Sequence, residues 1–270
     1  MFDDDNARSK PSAKWTGKRT VTAILGLVLA NVVFFTIRPL THESNPCKSA
    51  NAYDRGVALD LYGDRAAAIA AYTEDLKDRP RHVEALKNRG YDYAELGQLD
   101  AAVADLTLAL ELQPRDWDIM IHRANVYLKL GQFDPAMADL TRAVQTAPDA
   151  WSTWYARGNA SMAHGDLDAA IADYTRSLAS GAQNHVDLAS YPRGIAYLRA
   201  GKFDLAEADF TTYAAAHAGA TDAARGRDCA AQKSNTGDCA IPYPAPSNPL
   251  TDQLLDAAGR SLSGCERRSG

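Results

Sequence analysis

Apolar residues recur along most of this chain at three- and four-residue steps, the period of helices that bury one face. Val83 to Asp116 shows the unit clearly. Its first segment carries Leu86, Gly90, Tyr93 and Leu96 on the buried face, and its second carries Leu99, Ala102, Leu106, Ala109 and Leu110. Gly97 divides the two and Pro114 stops the second, so the pattern predicts a helix hairpin. The hairpin then repeats. Gly56, Gly90, Ala124 and Gly158 are spaced by 34 residues, and Gly194 follows after 36.

With that small residue as position 8, the units run over 49–82, 83–116, 117–150, 151–184 and 187–220. Position 15 is Gly63, Gly97, Gly131, Gly165 and Gly201; position 20 is Ala68, Ala102, Ala136, Ala170 and Ala206. Position 24 is large: Tyr72, Leu106, Leu140, Tyr174 and Phe210. Small residues at 8 and 20 let two helices approach closely, and glycine at 15 permits a tight turn. One hairpin cannot bury its own apolar face, so neighbours must stack.

A second hydrophobic pattern precedes the repeats. Thr20 to Ile37 is uncharged, and as a helix its eighteen residues span about 27 Å, close to the hydrocarbon thickness of a bilayer. It predicts a transmembrane helix acting as a signal anchor. Arg8, Lys10, Lys14, Lys18 and Arg19 lie before it, so residues 1–19 are expected in the cytoplasm and the repeats on the far side. The alternative is a signal peptide cleaved after Ala30. Residues 38–48 read as a linker.

Composition adds little and excludes something. A net charge of -5 argues against non-specific nucleic-acid binding. Four cysteines (47, 229, 239 and 265) lie outside the repeats, and three pairings are open to them. Cys229 and Cys239 are close enough for a local bridge, which leaves Cys47 and Cys265. Export favours disulfides.

The repeat resembles the tetratricopeptide family over Ser49 to Ala218. That resemblance implies an all-α, right-handed superhelical solenoid of about five hairpins, preceded here by the transmembrane helix. It implies further that first helices line a concave groove through positions 2, 5, 9, 12 and 13. Mapped onto this chain, those positions nominate Tyr53, Lys87, Tyr91, Asn125, Lys129, Tyr155, Asn159, Tyr191 and Arg199, with Glu84 and Asp118 beside them. Tyrosine gives broad contact at low entropy cost, and asparagine both donates and accepts. A protein or peptide partner is the ligand this implies. The family's carboxylate clamp is not reproduced, since Tyr91 stands where it needs asparagine.

One departure from the family pattern recurs. Position 7, usually leucine, is Arg55, Arg89, Arg123, Arg157 and Arg193, and position 23 is Asp105, Asp139, Asp173 and Asp209 in four units. Arginine and aspartate repeated on facing helices read as structural ion pairs rather than a binding ladder.

Residues 219–270 form a capping segment and tail. Thr221 to Gln232 suits a short capping helix. Asn248 and Pro249 open a terminal amphipathic helix whose apolar face is Leu250, Leu254, Leu255, Ala258 and Leu262. It has three destinations: the end of the array, the groove, or a second copy. Metalloprotease, P-loop, CxxC and GxSxG signatures are absent, and the six histidines fall at different repeat positions. The expectation is a non-enzymatic scaffold without cofactor or metal, in a bacterial inner membrane with its repeats in the periplasm. The alternatives are a self-associating envelope protein, hence a possible homo-oligomer, or an accessory subunit of a membrane enzyme complex.

Overall fold

The computed structural model describes residues 51–180, 188–217, 219–236, 239 and 241. The expected leader, anchor and linker, and residues 242–270, lie outside that set. Eleven helices occupy the described residues and pair as antiparallel hairpins. The first hairpin is α1 (Ala52–Leu61) with α2 (Arg65–Asp78) and the second α3 (Val83–Glu95) with α4 (Leu99–Leu112). The third is α5 (Trp117–Lys129) with α6 (Phe133–Thr146) and the fourth α7 (Trp151–His164) with α8 (Leu167–Ala179). The fifth is α9 (Ser190–Arg199) with α10 (Phe203–Ala216), and α11 (Thr221–Ala231) follows. Among the described residues no helix is long and apolar enough to cross a membrane.

Local chemistry sets the helix ends. Asn51, Asp64, Asp116 and Asp166 accept hydrogen bonds from the first backbone N–H groups of α1, α2, α5 and α8. The second helices end at Asp78, Leu112 and Thr146, two residues before Pro80, Pro114 and Pro148, because a residue preceding proline is pushed out of the helical region. α9 holds Pro192 in its first turn, where no intrahelical donor is lost. Leu96 departs from expectation. It follows α3 as the C-cap and is 45% exposed, because the helical period that would bury it has already ended.

Two repeated glycines are required for different reasons. At position 15, φ lies between +71° and +91°, yet an added Cβ would meet nothing within 4 Å. The demand there is purely conformational. At position 8 the demand is space. A Cβ on Gly158 would lie 2.8 Å from Tyr174 Cε1, and one on Gly56 would lie 2.5 Å from Tyr72 Cε1. Where position 8 is Ala124, position 24 is the slimmer Leu140, so the two positions compensate across one hairpin. Leu106 and Leu140 are fully buried at these contacts, each contributing roughly 2–3 kcal/mol of apolar burial.

Hairpins stack so that first helices form one row and second helices another. Within the first row α1 touches α3, α3 touches α5, α5 touches α7 and α9 touches α11, whereas second helices do not approach one another to that extent. The row whose members approach most closely lies inside the curve. α7 and α9 lack this contact, at the join where the repeat spacing lengthens by two residues. The core divides nearby: one apolar cluster runs from Ala68 to Ala160, and a second joins Met162, Tyr174 and Phe210 to Cys229, Cys239 and Ile241.

Candidate partner-binding groove

The inner row carries the side chains nominated from sequence, and the structure separates them into several kinds. Tyr53, Lys87, Tyr91 and Asn125 are half-buried on α1, α3 and α5, and Lys129 is exposed. Tyr53 sits 4.7 Å from the His82 ring, and burial followed by the Glu84 charge raises its hydroxyl pKa. Lys87 Nζ reaches Glu84 Oε2 at 2.9 Å and Asp118 Oδ2 at 3.4 Å. Burial alone would lower its pKa, but Asp118 and Glu84 outweigh that and raise it. His122 joins the group, with Nε2 3.6 Å from Asp118 Oδ1 and its ring edge-on to Tyr91 at 5.4 Å. Lys129 bridges back to α3, donating to Glu95 Oε1 at 2.9 Å and to the Ala94 carbonyl at 3.3 Å.

The later hairpins differ. Asn159 occupies the same repeat position as Asn125, but it is 6% exposed and accepts a 2.9 Å hydrogen bond from the Tyr174 hydroxyl. It belongs to the packing of its own hairpin rather than to an accessible groove wall. Tyr155 packs 6.0 Å from Tyr174 and 5.9 Å from Trp151. Tyr191 lies 5.0 Å from Tyr213, and burial, then the Asp222 charge, pushes its hydroxyl up to about 12. Arg199 Nη2 donates to the Ile241 carbonyl at 3.3 Å, so its guanidinium engages this chain's own C-terminal part.

Position 7 forms a repeated staple. Arg89 donates through Nε to Asp105 Oδ2 at 2.7 Å and through Nη2 to Asp105 Oδ1 at 2.8 Å, while Nη1 reaches Thr73 Oγ1 of the preceding hairpin at 3.0 Å. Arg123 repeats this with Asp139 and Thr107, and Arg193 with Asp209 and Thr175. Arg157 makes the same fork to Asp173, and its guanidinium lies 5.0 Å from the Trp154 ring, where Ser161 replaces the tyrosine found in the neighbouring units. Arg55 has no aspartate to meet, because position 23 of its hairpin is Ala71. It pairs with the exposed Glu74 at 2.5 Å. Each complete staple ties both helices of one hairpin to the hairpin before it. The threonine arm was readable in principle, since position 25 is threonine in all five units.

Two acidic clusters went unread in the sequence. Asp75 is buried and accepts from His82 Nδ1 at 2.7 Å and from Arg79; burial would raise its pKa, but these partners hold it below the usual carboxylate range. Asp92 is fully buried with neither carboxylate oxygen hydrogen-bonded, and the nearest cation is Arg65, with Nε 3.7 Å away. Burial first, then the neighbouring Asp60, pushes its pKa up to about 8. Its signal was positional: the other units place Ala58, Val126, Ala160 and Ala196 where Asp92 stands.

Cys229 and Cys239 are bonded, with Cα atoms 5.5 Å apart. Cys47 and Cys265 lie outside the described residues. Among the described residues no group of three or more His, Cys, Asp or Glu is placed to hold a metal ion. The largest open cleft, about 580 Å³ along Gln113–Asp118, lies on the turn between hairpins and gathers no convergent polar groups.

Residues 53–118 and 121–185 match the tetratricopeptide repeat family model. These hairpins are tetratricopeptide repeats. The fold is shared with solved structures. MamA is 23% identical with a TM-score of 0.51, over 67% of this chain and 92% of that one. TTC0263 of Thermus thermophilus is 21% identical with a TM-score of 0.56, over 67% and 98%. YrrB, described as having an unusual peptide-binding site, is 18% identical with a TM-score of 0.52, over 66% and 90%. No curated protein matches the chain.

Proposed function

We propose that this chain is a non-enzymatic scaffold that holds a protein or peptide partner against its inner helix row. The observation that carries this reading is the wall formed by α1, α3 and α5. There Tyr53, Lys87, Tyr91, His122 and Asn125 bring aromatic area, charge and amide chemistry to one half-buried surface. Such surfaces suit extended peptides, because alternate side chains find pockets while tyrosine and asparagine contact the backbone. The peptide-binding site described for YrrB, a protein of the same fold, supports the class of ligand and not its identity. The uncharged run Thr20 to Ile37 supports a membrane tether, with the repeats on the periplasmic side of a bacterial inner membrane. The protein then works by keeping a partner near the membrane, with no bond broken.

Photo-crosslinking from a benzophenone side chain at position 125 in native cells tests this directly. A discrete protein adduct is expected there and not from the same probe at Leu108, which is 38% exposed on α4. Equal adducts from both positions would remove the groove as the site.

A further inference from the structure

The inner row is covered in its later part, and the chain itself supplies the cover. At position 9, Val57, Tyr91 and Asn125 are half-buried, whereas Asn159 is 6% and Ile195 0% exposed. At position 12, Asp60 and Leu128 are half-buried and the small Ala94 is buried, whereas the long Met162 and Leu198 are 2% and 1% exposed. On α7, five consecutive residues from Gly158 to Met162 are buried. A helix packed only on its hairpin side cannot bury five in a row, because successive residues turn through more than a full circle. The covering also falls where α7 and α9 fail to touch, so it fills a gap that direct helix packing leaves.

Part of the cover is visible. After α11 the chain reverses at Lys233, whose φ is +51°, and returns toward α9. Asn235 Nδ2 donates to the Leu198 carbonyl at 3.5 Å, and Arg199 Nη2 donates to that of Ile241. The bond between Cys229 on α11 and Cys239 fixes this return. Ile241 is itself 3% exposed and shares an apolar cluster with Ile195, Leu198 and Met162. The described chain thus stops at Ile241 on the inner row, with 29 residues still to place.

We infer that the C-terminal segment is a built-in occupant of the inner face: residues 250–262 lie across α7 and α9 with Leu250, Leu254, Leu255, Ala258 and Leu262 toward Met162 and Ile195. Reach permits it. Nine residues separate Ile241 from Leu250 and span up to about 30 Å, while neighbouring helices of a row lie roughly 8–10 Å apart. Thirteen helical residues extend about 20 Å, the width of two such helices. Chemistry favours it as well, because the covered stretch offers Met162, Ile195 and Leu198, while the α1–α5 wall offers lysine, histidine and tyrosine. An apolar helix face fits the former and an external polar peptide the latter. The inference does not rest on the scaffold reading, since it concerns an intramolecular contact.

The test uses the full chain with a benzophenone side chain at Leu254 and mass-spectrometric mapping of the crosslink, mixing isotopically light and heavy protein. The expected result is light–light and heavy–heavy crosslinks to α7 and α9. Crosslinks to α10 or α11 would make the segment an end cap and overturn the inference. Mixed light–heavy crosslinks would assign the face to a second copy and overturn it too. A Leu250→Asp/Leu254→Asp variant, changed outside every repeat, is expected to speed amide exchange in 158–163 and 194–198 and leave α3 unchanged. Unchanged exchange throughout would contradict the docking.

Discussion

The second and fifth hairpins follow one plan and meet different surroundings. In the second, Tyr91 and Lys87 stay half-buried on the inner row, and Arg89 ties α3 to α4 and to the hairpin before. In the fifth, Arg193 makes the same staple, yet the equivalent inner positions are the buried Ile195 and the half-buried Tyr191. The repeat period therefore governs how helices pair within the array. What lies over the inner row depends on residues beyond the period, at the join before α9 and after α11.

The largest effect expected separates complete staples from the incomplete one. Arg123→Ala strands Asp139, a carboxylate 4% exposed, and is expected to cost about 3 kcal/mol in urea unfolding. Arg55→Ala releases Glu74, whose side chain is 61% exposed, and should cost under about 1 kcal/mol. Equal costs would show that the forks do not stabilise the array.

Position 8 gives the next effect. Gly158→Ala drives a Cβ into Tyr174 and should cost about 1–3 kcal/mol, with part of the loss recovered by adding Tyr174→Leu, the pairing that Ala124 and Leu140 already use. Gly165→Ala meets no clash but keeps φ at +91°, so about 1–2 kcal/mol is expected from conformation alone, with no rescue by a change at Tyr174.

A smaller, pH-dependent contrast sets Asp92 against Asp75. Asp92 binds its proton more tightly folded than unfolded, so its burden on stability is absent near pH 4 and grows as pH rises to about 8. Asp92→Asn should therefore raise the melting temperature at pH 8 and change it little at pH 4. Asp75 has the opposite sign: its lowered pKa contributes stability at neutral pH, which is lost as pH falls through that value. Asp75→Asn should destabilise at pH 7 and lose its effect in acid.

Much of the fold was legible because the same spacing is written five times. Gly97, Ala102 and Leu106 each say what their equivalents say, so the hairpin boundaries and the Arg–Asp forks could be read from register alone. Asn125 and Asn159 could not be told apart that way. Register gives them one position, while burial depends on Tyr174 opposite Gly158 and on the chain returning after α11. Asp92 was missed for a related reason, because a charged residue in a buried register looks like an exposed one until the packing around Asp60 and Arg65 is known.

Those two asparagines also offer the most direct measurement. Asn125→Cys and Asn159→Cys, each in the full chain without reductant, would be compared for their rates of reaction with a maleimide, above the unsubstituted background. The expected outcome is rapid labelling at 125, on the wall assigned to a partner, and slow labelling at 159, beneath the covered stretch. Equal rates at the two positions would contradict the division of the inner row into an accessible wall and an occupied one.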